Sequence, residues 1–136
     1  MLKSAKLTKG IIVTVMNKIG VLADMSRILA DHGLNIEALK GYAEDGQAKI
    51  MLITDDNLRT VDALKKNGYK GAVEIEMIML ELENKPGALK YISAKLALEE
   101  IDIKFIYGAV CPGGCPAKII LSTSDNEKAL VAFKAK

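Results

Sequence analysis

The sequence predicts an α+β protein made of two βαββαβ units in tandem, the second lacking its last strand. Three observations carry this. The chain matches itself at an offset of 67 residues. Within each copy the apolar pattern switches between runs of strand type and a three-to-four spacing. The second copy then ends where the first still has a strand to come.

The repeat comes first, because a missed duplication misassigns the fold. Asn17-Lys18-Ile19-Gly20-Val21-Leu22 falls on Asn84-Lys85-Pro86-Gly87-Ala88-Leu89, and Ser26, Leu29, Ala30, Ile36 and Gly41 fall on Ser93, Leu96, Ala97, Ile103 and Gly108. After two extra residues in the second copy, Ala48 to Thr54 meets Ala117 to Thr123, and Asp56-Asn57 meets Asp125-Asn126.

In the first copy Ile11 to Met16 is a β-branched run, closed by turn chemistry at Asn17 to Gly20. Val21, Leu22, Met25, Ile28 and Leu29 then form the stripe of a helix with one buried face, and Gly33 suits a left-handed C-terminal cap. Leu34 to Ala43 and Gln47 to Thr54 are strands joined across Glu44-Asp45-Gly46. Asp55 or Asp56 caps a second helix ending near Gly68, and Tyr69 to Glu76 is a short strand running into the next copy's first, Met77 to Glu83. With right-handed crossovers this order gives a ferredoxin-like sheet with both helices on one face. Ile50 to Ile53 and Met77 to Leu80 are continuously apolar, so their other face needs cover from the other copy or another chain. The domains are expected at 1–75 and 76–136. The strand missing from the second copy leaves Met77 to Leu82 with an open edge, to be filled by Leu2 to Thr8, by another subunit or by the first copy's sheet.

Composition narrows the function. Of 136 residues, 50% are hydrophobic and 26% charged, enough to bury a core. Net charge is +2 with the signs interspersed, and the aromatics needed to stack bases on a sheet are scarce, which argues against nucleic acid. Ile11 to Met16 is too short to span a membrane or serve as a secretion signal, so the expected location is the cytoplasm. No nucleophile with a positioned base and no metal cluster is visible, so no enzyme, cofactor or metal is expected.

The chemistry concentrates in the repeated strand-to-helix turn. A glycine lets the backbone approach a ligand closely, and first-turn N–H groups lack intrahelical partners, so a carboxylate can dock there. The same residues also serve as ordinary caps: Pro86 is a good first helical residue, and Gly20 and Gly87 shape the turn.

The turn N-K-P-G-A-L after an apolar strand, followed by a strand opening such as G-L-N-I, resembles the ACT domain. The likeness covers both copies, from about Gly10 to Phe133. It implies two ACT-type units in a regulatory protein that binds a free amino acid and acts through its own oligomeric assembly or through a metabolic enzyme, and the apolar character of both faces of the central strands predicts a homodimer or higher assembly. Carried over from the family, the ligand residues are Gly20, Val21 and Leu22 with Asn35, and Gly87, Ala88 and Leu89 with Asp102. Ile19 stands at the family's usual proline, matched by Pro86 in the second copy, and Asn17 and Asn84 stand where aspartate is common. Asp102 can pair only with an ammonium, whereas Asn35 can also donate to a carboxylate, so the two sites are expected to differ.

Outside the turns, His32 lies in a last helical turn, where it complements the helix dipole. Tyr42 and Tyr107 lie on strands where a tyrosine is commonly half-buried, and either can also line a pocket. Cys111-Pro112-Gly113-Gly114-Cys115-Pro116 has no counterpart in the first copy. Its prolines and glycines read as a hairpin tip, and its two thiols can pair locally or supply half of a metal site, which with one His in the chain needs a second subunit. A thiol or metal sensor on this loop is therefore the alternative function.

Overall fold

The computed structural model describes residues 1–111 and 113–134. Among them the elements run β1 (Leu2–Met16), α1 (Val21–Asp31), β2 (Ile36–Glu44), β3 (Gln47–Thr54), α2 (Asn57–Lys66), β4 (Val73–Leu82), α3 (Ala88–Leu98), β5 (Ile103–Ala109), β6 (Ala117–Thr123) and α4 (Asn126–Lys134). They form two compact units, Lys9–Ile75 and Met1–Thr8 with Glu76–Lys136. The fold is the expected one, two ferredoxin-like units in tandem, with β1 and β4 each giving one part to either unit.

In the unit Lys9–Ile75 the strand order is β2-β3-β1-β4, with β1 and β2 both antiparallel to β3. Ile11 lies opposite Leu52 and Met16 opposite Gln47. Alternation along β1 and β3 turns Ile11, Val13, Ile50 and Leu52 onto Met25, Ile28 and Leu29 of α1 and Ala63 and Leu64 of α2. Asp45 and Gly46 both have positive φ, 53° and 77°, the pairing that closes a two-residue hairpin with the right twist. Gly33, at φ 68°, ends α1 and lets the Leu34 N–H reach the Leu29 carbonyl at 2.9 Å. Asp56 caps α2 by accepting from the Arg59 N–H. Tyr69 to Ala72 forms a turn instead of the expected strand, its Ala72 N–H returning to the Tyr69 carbonyl, so β4 starts only at Val73. From there no turn residue interrupts it, and the two predicted strands are one.

In the second unit the order is β1-β4-β6-β5. Residues 1–8 supply the strand this copy lacks. Glu83 N–H donates to the Met1 carbonyl at 2.8 Å, and Leu2 and Ala5 pack on a core of Ile78, Leu80, Ile92, Leu96, Leu121 and Phe133. The duplication holds at atomic detail. Asn57 Oδ1 accepts from the Thr54 N–H and hydroxyl while its Nδ2 donates to the Lys9 carbonyl. Asn126 does the same with Thr123 and the Glu76 carbonyl.

Met51, Ile53, Met77 and Ile120 belong to neither helix-facing core and are still 5% exposed or less. No helix among the described residues is long and apolar enough to cross a membrane.

Candidate functional site

At the end of β1 the Asn17 N–H donates to the Gly46 carbonyl at 2.9 Å, pinning the turn to the β2–β3 hairpin. Gly20 is the N-cap of α1 in the left-handed region, φ 91° and ψ 2°, and no side chain caps the helix. The Val21 N–H bonds the Lys18 carbonyl at 3.3 Å, which leaves the Leu22 and Ala23 N–H groups of the first turn without a helical acceptor. Beside them lies a pocket of about 490 Å³. Asn17, Lys18, Gly20, Val21 and Leu22 form its turn side; Leu39, Gly41, Tyr42 and Ala43 of β2 and Ala48 and Ile50 of β3 form the rest.

A hydrogen-bond network holds the first turn of α1. The Tyr69 hydroxyl donates to Asp24 Oδ2 at 2.6 Å, and Arg27 bonds Asp24 Oδ1 at 2.9 Å. Burial and then the bond to Asp24 push Tyr69 up to about 12, while the Tyr69 bond and then Arg27 hold the Asp24 carboxyl below its ordinary value.

Residues 10–66, which contain the turn and every strand of this pocket, match the family model of the ACT domain. The chain is similar to that family over this segment. Its structure is similar over 96% of its length to 88% of a Bacteroides thetaiotaomicron protein, at 23% identity and a TM-score of 0.88. It is also similar to the regulatory subunit of aspartate kinase from Thermus thermophilus in its ligand-free form, at 14% identity and a TM-score of 0.67 over 98% of this chain and 97% of that one. A third likeness is to the aspartokinase alpha and beta subunits, at 16% identity and a TM-score of 0.64 over 98% and 96%. These are likenesses of fold. Among curated proteins, none matches.

Of the ACT-domain residues expected at the ligand, the structure gathers Asn17, Gly20, Val21 and Leu22 in one lining. Ile19 projects fully into solvent. Asn35 is absent from the lining, because it precedes β2 at the end away from the turn, six residues or ~20 Å of strand from Gly41. There its N–H donates to Asp55 Oδ1 and its carbonyl accepts from the Asp55 N–H. Sequence reasoning missed Lys18, Leu39, Gly41, Ala43, Ala48 and Ile50. Gly41 offered a signal, since a glycine inside a strand often marks a close approach.

In the second unit Gly87 caps α3 at φ 90° and ψ −7°, again without a side-chain cap. The turn Asn84, Lys85, Pro86 closes with the Ala88 N–H on the Lys85 carbonyl at 3.3 Å. Ala88 is buried and Leu89 exposed. Over this turn sits Met1, whose methyl lies 3.3 Å from where a Cβ on Gly87 would stand. The N-terminal ammonium at 2.9 Å, and after it Lys85, hold the Glu83 carboxyl down to about 2. A Gly87→Val change forces a β-branched residue into the left-handed region and so burdens the fold as well as the turn. Asp102 repeats Asn35: its N–H donates to Ser124 Oγ and its carboxylate pairs with Lys104 at 3.3 Å.

The remaining candidates have local roles. His32 Nδ1 meets the Ile28 carbonyl at 2.7 Å, capping α1 as expected. Tyr42 lines the pocket. The Tyr107 hydroxyl is buried without a partner among the described residues, and burial pushes it up. Cys111 and Cys115 are joined by a disulfide, with the Cys115 N–H on Cys111 Sγ. Pro112 lies outside the described residues.

Proposed function

We propose that this protein is a non-catalytic, cytoplasmic regulator that binds a free amino acid in the pocket at Gly20 and passes the signal to its own assembly, a homodimer, or to a metabolic enzyme. The observation that carries the reading is the junction of an uncapped helix N-terminus with an apolar pocket inside the matched ACT segment. The Leu22 and Ala23 N–H groups and Lys18 suit a carboxylate, and the strand residues suit the rest of the molecule. The likeness to a regulatory subunit of aspartate kinase supports a regulatory role. Leu22, Leu39 and Tyr42 are each 40–47% exposed around the pocket mouth on or beside the edge strand β2, which favours pairing of copies across the ligand. A thermal-shift screen of the twenty amino acids tests the proposal. At 100 times its dissociation constant a bound amino acid adds ~2.7 kcal/mol of stability. Light scattering with and without it reads the assembly. Stabilisation by none of them would sink the proposal.

The Cys111–Cys115 disulfide favours a second reading, a thiol switch at the β5–β6 tip. In the bonded form these sulfurs are not thiolate ligands, so a metal-sensing version needs prior reduction. Cys111→Ser with Cys115→Ser abolishes such a response and spares amino-acid binding.

A further inference from the structure

We infer that the pocket takes an α-amino acid whose side chain is uncharged and apolar, an inference that rests on the amino-acid role proposed above. Among the described residues Lys18 is the lining's one cation, and none of those that line the pocket carries a carboxylate. One anionic group of a ligand can therefore be matched, by Lys18 and the first-turn N–H groups, and the α-carboxylate uses that match. What faces the remainder of the ligand is Leu39, Tyr42, Ala48 and Ile50. A lysine or arginine ligand would bring a second cation to a wall without an acid, and an aspartate or glutamate would bring a second carboxylate to the same single lysine. Either leaves a charge desolvated and unpaired. A hydrocarbon or thioether side chain instead covers apolar surface that is exposed without it, including Leu39 at 44% and Tyr42 at 40%.

Gly41 keeps the space open. A Cβ there would stand 3.8 Å from Ile50 Cγ1 and 4.0 Å from the Lys49 carbonyl, at ordinary contact distance, and its φ is not in the left-handed region. Gly41→Val therefore fills the pocket on a strand that accepts valine.

Calorimetric titration of the full chain with leucine, valine, methionine, lysine, arginine, aspartate and glutamate tests this. The expected result is binding of at least one of the first three at least about tenfold tighter than any of the last four, with that binding weakened about tenfold or more in Gly41→Val and in Leu39→Ala. Leu39→Ala trims a partly exposed side chain and serves if Gly41→Val folds poorly. A charged amino acid binding tighter than the apolar ones, with amide shifts at residues 17–22, overturns the ligand class and leaves the proposed function standing. Apolar binding undiminished in both variants overturns the pocket. Binding by no amino acid overturns both readings.

Discussion

Gly20 and Gly87 have nearly the same backbone, φ 91° and ψ 2° against φ 90° and ψ −7°. Yet a Cβ at Gly20 would find nothing within 4 Å, while one at Gly87 would meet the Met1 methyl at 3.3 Å. The paired strand glycines differ in the same sense. A Cβ at Gly41 would have room, but one at Gly108 would stand 2.5 Å from both Ile119 Cδ1 and the Lys118 carbonyl. Duplication has thus preserved the hydrogen-bonding geometry of the turn in both units and left space beside it in one. A repeated motif sets where the N–H groups point; whether a ligand can reach them depends on which side chains and strands come to rest over it.

The comparison can be broken most directly by removing residues 1–8. The second unit then loses its fourth strand, at a cost of about 3–6 kcal/mol. That figure sums several ladder hydrogen bonds near 1 kcal/mol each and the burial of Leu2 and Ala5. Hydrogen exchange should accelerate across Met77 to Leu82 while Ile50 to Ile53 stay protected. Equal protection in both would show that residues 1–8 do not hold the second unit.

A smaller effect separates the two strand glycines. Gly108→Val meets a backbone oxygen that cannot move aside, and denaturant unfolding should report a loss of about 1–3 kcal/mol. Gly41→Val should stay within about 0.5 kcal/mol of the parent protein, since its new Cβ meets its neighbours only at ordinary contact distance. If the two variants are equally stable, the second unit is as open as the first.

The smallest effect concerns the helix ends. Gly33 and Glu100 both sit at positive φ, 68° and 56°, and each allows the same return bond, Leu34 N–H to the Leu29 carbonyl and Ile101 N–H to the Leu96 carbonyl, both 2.9 Å. Only the first copy uses glycine there. Glu100→Gly relieves the left-handed strain at some entropic cost in the unfolded chain, for a net gain of about 0.5–1 kcal/mol in urea unfolding. A loss of stability would mean that the Glu100 side chain contributes more than its backbone costs.

The sequence by itself determined what depends on near neighbours along the chain. The β-branched runs, the helical stripe from Val21 to Leu29, the turn across Glu44-Asp45-Gly46, the cap at Gly33 and a cap at Asp55 or Asp56 all follow from bonds between residues a few positions apart. Tertiary structure alone decided the rest. From sequence, Leu2 to Thr8 was one of several candidates to fill the edge beside Met77 to Leu82. The choice was made by pairing between segments some 75 residues apart, to which local propensity is blind. The pocket's membership was hidden for the same reason. Gly41 and Ile50 reach Gly20 because the register of β1, β2 and β3 brings them to one end of the sheet, and that register carries Asn35 to the other.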